Sequence, residues 1–174
     1  MLSHRLPLHF ENSGMPHRSP TPVVLELDYL KGFRQIFEEK IVFNKTLGLK
    51  LLKISPEGVE ARLDMKPELV GHYAYNRVHG GVISAVLDAI GSAAVMACLA
   101  AKHMKESPTE RLERFAKLGT IDLRVDYLRP GIGDRFLVHT EAVRVGARVS
   151  NARMEFRSAD GKLLSTGTAA YLTS

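Results

Sequence analysis

Two features of the chain suit chemistry on an acyl group: a His-Gly-Gly motif and a carboxylate that follows it. The motif is His79-Gly80-Gly81, and Asp88 is the one acidic residue in the apolar stretch of residues 82–101. Attack on an acyl carbonyl needs a base or nucleophile at the carbon and hydrogen-bond donors where the oxyanion forms. A loop that becomes a helix at His79 exposes unpaired backbone N–H groups and the positive end of the helix dipole. We therefore expect an oxyanion site at His79 and Gly80, with Asp88 as general base or nucleophile.

The spacing of these residues predicts that one chain alone cannot complete the site. Gly80 and Asp88 are eight residues apart, which is a rise of about 12 Å along a helix. That distance is too long for both groups to flank one carbonyl. Two antiparallel copies of the helix, related by a two-fold axis, place the N-terminus of each beside the middle of the other. We therefore expect a homodimer in which Gly80 of one subunit faces Asp88 of its partner.

The element that positions these residues is predicted to be a long helix over residues 80–104. Its sequence from 82 to 101 is apolar or small at nearly every position, which is typical of an enclosed core helix or of a membrane span. A carboxylate in its middle, Asp88, costs a few kcal/mol in lipid. We therefore expect a core helix and no membrane span.

Alternating apolar residues predict strands on both sides of this helix. A hairpin is expected before it, with strands at 47–54 and 59–65, and four further strands are expected after it, at 120–128, 136–145, 149–157 and 162–172. The turns between the last four are typical of an antiparallel meander. In the first of them, one face is expected to lie on the core, formed by Ile121, Leu123, Val125 and Tyr127.

The sum of the elements predicts an α+β architecture. Apolar residues at three- and four-residue steps predict one further helix over residues 26–42. A strongly curved antiparallel sheet would then wrap around the long central helix, with the extra helix at the N-terminus. This arrangement is the hotdog fold.

Length and composition limit the number of domains, the location and the class of partner that the chain can have. The 174 residues fit one domain, expected at 25–174, with a flexible Pro-rich arm at 1–24 that has no apolar secretory core. A single cysteine, Cys98, cannot form an internal disulfide or a thiolate-rich zinc site, so the cytoplasm is the expected location. The net charge of +5 suits a polyanionic partner. Nucleic acid is not expected, because no helix-turn-helix is evident.

Two separate motifs resemble those of a known family. Val78-His79-Gly80-Gly81-Val82, with Asp88 nine positions after the histidine, is joined downstream by Tyr127-Leu128-Arg129-Pro130. Together they resemble the hotdog-fold acyl-CoA thioesterases of the phenylacetic-acid type, and among these the bacterial enzymes for medium- and long-chain acyl-CoA. The resemblance implies hydrolysis of a thioester to a free acid and coenzyme A without metal or cofactor. It also implies a homodimer with the site shared between subunits, and many such dimers pair again into tetramers.

The resemblance also assigns roles around the carbonyl. Thr120 occupies the position where relatives carry a Ser or Thr that helps place the attacking water, and His79 would orient the loop or polarise the carbonyl. The pattern departs upstream, because many relatives place an Asn or Gln six or seven residues before the histidine, where this chain has Tyr73 and His72. His72 and Asn76 are therefore both candidates for a ligand of the carbonyl.

The remaining substrate contacts are expected at the nucleotide of coenzyme A. Arg129, Pro130 and Arg148 fall where the family contacts this part of the substrate, and arginine suits its phosphates. Gly81 would allow close approach of the substrate to the backbone.

Two other functions remain compatible with the sequence. One is hydration or dehydration of an acyl thioester on the same fold, although such relatives pair a His with an acidic residue in different local motifs. The other is a non-catalytic regulator that binds acyl-CoA, which the positive charge and the N-terminal extension would suit.

Overall fold

The computed structural model describes residues 23–173, so the expected arm at 1–24 lies almost wholly outside the described residues. The helical segments are α1 (Leu27–Gln35), a π-helical turn (Ile36–Lys40), α2 (Val42–Leu47), a 3-10 turn (Pro67–Leu69), α3 (Gly80–Lys102), α4 (Pro108–Glu113) and a second 3-10 turn (Arg114–Lys117). The strands are β1 (Lys50–Ser55), β2 (Gly58–Asp64), β3 (Val70–His72), β4 (Arg77–Val78), β5 (Gly119–Tyr127), β6 (Arg135–Val145), β7 (Val149–Ser158) and β8 (Leu163–Leu172). The expected hairpin, long helix and four C-terminal strands are all present.

Six of the strands form one antiparallel sheet in the order β1-β2-β6-β7-β8-β5, and β3 pairs separately with β4. The expected meander is correct for β6, β7 and β8. It is wrong for β5, which lies beside β8 at the edge of the sheet. β5 cannot pair with β6, because β2 already occupies that side of β6, with Val59 opposite Thr140.

Helix α3 lies against the sheet and forms the centre of the core. It packs on β6, β7, β2 and β8, which confirms the predicted central helix of a hotdog fold. Each large apolar side chain buried in this way contributes about 1.5–3 kcal/mol. Among the largest of these buried side chains are Leu87, Ile90 and Met96 from the helix and Phe136, Met154 and Phe156 from the sheet.

The same helix is long and apolar enough to cross a membrane, but 61% of its most apolar window is buried within the fold. The core helix of a folded domain can be as long and as apolar as a membrane span.

The N-terminal helical layer is longer and less regular than the single helix expected over residues 26–42. α1 ends at Gln35, a π-helical turn follows, and α2 runs on to Leu47. Gly48 ends the layer with a φ of 79°, a left-handed conformation that glycine adopts without steric cost.

An aromatic ladder joins this layer to the core. Tyr29, Phe33 and Phe37 are all buried, and the rings of successive members lie 5.7 and 4.7 Å apart. Arg111 of α4 packs at the end of this row of rings. It is fully buried, lies over the Tyr29 ring and forms a salt bridge with Glu26 at 2.6 Å.

The two edges of the sheet differ in what covers them. At the β1 edge, Arg34 donates to the carbonyls of Leu51 and Leu52, and the N–H of Leu51 donates to Glu38 at 2.9 Å. The N-terminal layer therefore satisfies backbone groups that an edge strand would otherwise leave unpaired. β5, the other edge, has no such cover among residues 23–173.

Candidate active site

The carboxylate of Asp88 is held by a hydroxyl from the edge strand. Thr120 Oγ1 donates to Asp88 Oδ1 at 2.9 Å, which brings together two residues that are 32 positions apart. The local cause is a β-bulge: Thr120 lies opposite Tyr171 and Asp122 lies opposite Ala170, so Ile121 is an extra residue. A bulge redirects the side chains on either side of it. Thr120 is thereby aimed at the helix.

Two residues are exposed on a face of β5 expected to be buried, and the bulge explains one of them. Leu123 and Val125 pack against the core, whereas Ile121 is 56% and Tyr127 53% exposed. The expectation that all four share a buried face is therefore wrong for Ile121, which the bulge displaces. It is also wrong for Tyr127, whose ring lies at the strand end over the start of α3.

A buried tyrosine fixes the backbone of Asp88. Tyr171 Oη donates to the Asp88 carbonyl at 3.0 Å, and burial raises the pKa of this phenol well above its usual value. Gly91 makes room for it, because a Cβ at this position would lie 2.3 Å from Tyr171 Oη. Tyr171 and Thr120 are cross-strand neighbours, so adjacent strands hold the backbone and the side chain of the same residue.

His79 caps α3 and determines which backbone amide remains free. Its Nδ1 accepts the N–H of Gly81 at 2.9 Å, so Nδ1 carries no proton and a neutral ring carries its proton on Nε2. The N–H groups of Val82 and Ile83 both donate to the His79 carbonyl. The Gly80 N–H has no acceptor within the described part of the chain. It is therefore the donor that the start of α3 offers to an oxyanion.

Two hydroxyl groups surround the Gly80 carbonyl, and neither belongs to the site residues expected from the sequence. Tyr127 Oη donates to this carbonyl at 2.9 Å, Ser84 Oγ does so at 3.1 Å, and the two hydroxyls contact each other. Ser84 was detectable, since it lies one helical turn after Gly80. The sequence offers Tyr127 only as part of the Tyr127-Leu128-Arg129-Pro130 motif and as a core-face residue, because nothing in its strand signals that its hydroxyl reaches the start of α3.

A surface pocket of about 410 Å³ opens beside Gly80. Among its lining residues are Arg77, Gly80, Ile83, Tyr127, Arg129 and Pro130. Arg129 also donates to the Leu163 carbonyl at 2.9 Å, which anchors it at the rim. Arg129 and Pro130 thus lie in the same pocket as Gly80, and their role in substrate binding stays a prediction.

Arg148 lies at the opposite end of the sheet within the same protomer. The Arg148 carbonyl accepts the N–H of Thr173, just beyond the C-terminal end of β8. The N–H of Arg129 instead donates to the carbonyl of Leu164, at the start of β8. The ten residues of that strand separate the two arginines by about 30 Å. One protomer therefore places Arg129 near Gly80 and Arg148 near Thr120.

His72 lies next to the His79 loop, and Asn76 lies at the tip of the β3–β4 hairpin. A Cβ at Gly71 would lie only 2.5 Å from His79 Cα, so β3 packs directly on the loop. His72 Nδ1 is buried without a hydrogen-bond partner in the described residues. Asn76 is exposed, and its φ of 46° is left-handed, a conformation Asn tolerates better than most residues.

The described residues hold no cluster of three or more His, Cys, Asp or Glu side chains that could bind a metal ion. Cys98 is partly buried, and burial raises the pKa of its thiol. A raised pKa makes a thiol a poor nucleophile.

Comparison with known proteins identifies the family of the chain. Residues 75–165 match the thioesterase superfamily. The medium/long-chain acyl-CoA thioesterases YigI of Salmonella typhimurium and Escherichia coli are 35% and 34% identical to this chain over 143 residues, which is 82% of this chain and 92% of each relative. A crystal structure of a Shewanella oneidensis protein related to the thioesterase superfamily is 38% identical, with a TM-score of 0.79, over 84% of this chain and 96% of that one. The chain therefore belongs to the thioesterase superfamily and is a thioester hydrolase with the hotdog fold.

Proposed function

We propose that this protein hydrolyses medium- to long-chain fatty acyl-CoA to a free fatty acid and coenzyme A. The observation that carries the proposal is the pairing of Thr120 with Asp88 in the middle of α3, together with a free amide at Gly80. The named substrates of the YigI relatives, which share about a third of their residues with this chain, supply the substrate class.

The site is proposed to form between two subunits. Gly80 and Asp88 lie on one continuous helix, about 12 Å apart along its axis. The N-terminal layer covers the β1 edge, so β5 is the edge available to pair with a second copy. Exposed apolar side chains on this strand, such as Ile121, favour such a contact. Two-fold pairing of β5 would bring Gly80 of one protomer to Asp88 of the partner subunit.

The same pairing accounts for the two distant arginines. Within one protomer, Arg129 lies at the Gly80 end and Arg148 at the Thr120 end. Antiparallel association places the Gly80 end of one protomer against the Thr120 end of the other. Arg129 and Arg148 of the partner subunit would then approach one substrate, where guanidinium groups suit the phosphates of coenzyme A.

In the proposed reaction, the thioester carbonyl oxygen lies against the Gly80 N–H of one subunit, next to His79 and Gly81. Asp88 of the partner subunit acts in one of two ways. As general base, it takes a proton from a water that Thr120 helps to place, and that water attacks the carbonyl carbon. As nucleophile, it attacks the carbon itself, and water then hydrolyses the resulting anhydride.

Both routes develop negative charge on the carbonyl oxygen, which the Gly80 amide stabilises. Both then break the carbon–sulfur bond, and the thiolate of coenzyme A takes up a proton. His72, whose Nδ1 is unpaired beside the loop, and Asn76 are the side chains proposed to contact the carbonyl from the hairpin. No cofactor enters either route.

The test is release of thiol from acyl-CoA substrates of increasing chain length by wild type and Asp88→Asn. The variant should fold and assemble normally but turn over at least about a hundredfold more slowly. Asp28→Asn is the matched control, since Asp28 is an exposed carboxylate on α1 and its loss should leave turnover unchanged. Near-wild-type turnover by Asp88→Asn would remove this residue from the mechanism.

The same assay separates the other functions. Binding of acyl-CoA without release of thiol would indicate a regulator, and hydration of an enoyl thioester would indicate a hydratase. Association of dimers into a tetramer and a cytoplasmic location remain predictions, which size measurement in solution and cell fractionation test.

A further inference from the structure

At the start of α3, the Gly80 carbonyl accepts more hydrogen bonds than a helix carbonyl normally does. In a regular helix the carbonyl of Gly80 accepts the N–H of Ser84, four residues on, and this satisfies it. Here the hydroxyls of Tyr127 and Ser84 also lie at 2.9 and 3.1 Å from the same oxygen. Tyr127 comes from β5, 47 positions away, so its bond ties the helix start to the sheet.

Together these contacts fix one peptide unit at both ends. The unit between Gly80 and Gly81 has its N–H held by His79 Nδ1 and its C=O held by the two hydroxyls. The Tyr127 ring also covers Gly80, because a Cβ at this position would lie 3.5 Å from Tyr127 Cε1. Two successive glycines are the most flexible start a helix can have. Without such anchors, the direction of the Gly80 N–H would be poorly defined.

We infer that Tyr127 is a positioning residue for the oxyanion site, acting through its hydroxyl on the Gly80 carbonyl, with Ser84 as the second donor. The inference rests on the proposed function, because it assigns the Gly80 N–H to the thioester oxygen. Tyr127 itself transfers no proton and forms no bond to the substrate. Its effect is to hold the neighbouring amide in the orientation that the transition state needs.

The geometry of the hydroxyl pair predicts how the two residues share this role. Each hydroxyl has one proton, and the pair forms a triangle with the Gly80 carbonyl. Whichever hydroxyl donates to the carbonyl, the other can donate to its neighbour. Removal of one hydroxyl therefore leaves a hydroxyl donor for the carbonyl, whereas removal of both leaves only the backbone N–H of Ser84.

The experiment measures kcat and KM for acyl-CoA hydrolysis by Tyr127→Phe, Ser84→Ala and the double variant. Phenylalanine keeps the ring over Gly80 and in the pocket wall, so it removes only the hydroxyl. We expect kcat to fall about fivefold in each single variant and about a hundredfold in the double variant, with KM unchanged. The expected loss in the double variant exceeds the product of the single losses.

Tyr29→Phe is the matched control. Tyr29 Oη also contacts a carbonyl of α3, that of Met96 at 3.4 Å, but far along the helix from Gly80. This variant should keep the wild-type kcat. Thermal unfolding should be unchanged in Tyr127→Phe, because an exposed hydrogen bond contributes little to global stability.

Three results would overturn the inference: a wild-type kcat in the double variant, a loss confined to KM, or an equal kcat loss in Tyr29→Phe. A rise in KM with unchanged kcat would mean that Tyr127 binds the substrate instead. Failure of the proposed function is distinguishable, since the wild-type protein itself would then release no thiol from acyl-CoA.

Discussion

Replacement of Gly80 by proline deletes one backbone donor and puts the proline Cδ in place of its hydrogen. Proline lacks the N–H, and the first position of a helix tolerates it because that N–H has no partner within the helix. The residue before a proline must be extended, and His79 already has φ −66° and ψ 136°. We therefore expect Gly80→Pro to fold and assemble as the wild type does.

The expected loss of activity follows from the use of that N–H. Removing one oxyanion donor costs about 3–4 kcal/mol of transition-state stabilisation, which is a fall in kcat of about 10²- to 10³-fold. The assay is steady-state release of thiol, with circular dichroism and thermal unfolding to verify the fold.

Gly80→Ala is the matched control. It keeps the N–H, and its new Cβ would lie 3.5 Å from the Tyr127 ring, an ordinary van der Waals contact. Its kcat should stay within about threefold of the wild-type value. If folded Gly80→Pro were as active as Gly80→Ala, the amide would not be the oxyanion donor and the reasoning would be refuted.

Three further predictions concern the surroundings of the site. Thr120→Val keeps the shape but loses the hydrogen bond to Asp88, so kcat should fall about 10-fold, while Thr120→Ser should restore it; equal rates for the two variants would contradict the assignment. Arg129→Ala should raise KM for acyl-CoA but not for an acyl-pantetheine that lacks the nucleotide, and equal effects on both substrates would exclude phosphate recognition. Gly91→Ala would place a methyl group against Tyr171 Oη and should lower the free energy of unfolding by about 1–3 kcal/mol in a denaturant titration; an unchanged midpoint would show that the contact relaxes freely.

Much of the fold follows from local patterns in the sequence. The apolar run from 82 to 101 predicts α3, and alternation with turns predicts every strand of the C-terminal half. These signals are local, and each is strong because helix and strand have different periods. The order of strands is not local: β5 pairs with β8 because β2 occupies the side of β6 that a meander would give it.

The residues of the candidate site could be named from the sequence, but their contacts could be predicted only in part. The motif at residues 79–81 and the half-buried Asp88 could be identified directly, since a double glycine and a carboxylate are both unusual in an apolar helix. The bulge at Ile121 could not, because no residue there signals an extra position. The contacts of Tyr127 and Tyr171 also depend on the curvature of the sheet over α3, which no sequence pattern specifies.

Complementation between two inactive variants tests the shared site most directly. Gly80→Pro and Asp88→Asn are each expected to be inactive as homodimers. A mixed dimer contains one site with the intact Gly80 of the Asp88→Asn chain and the intact Asp88 of the Gly80→Pro chain, and one site that lacks both. Random mixing makes about half of the dimers mixed, so coexpression should restore about a quarter of the wild-type activity. Activity no greater than the sum of the two homodimers would contradict a site built from two subunits.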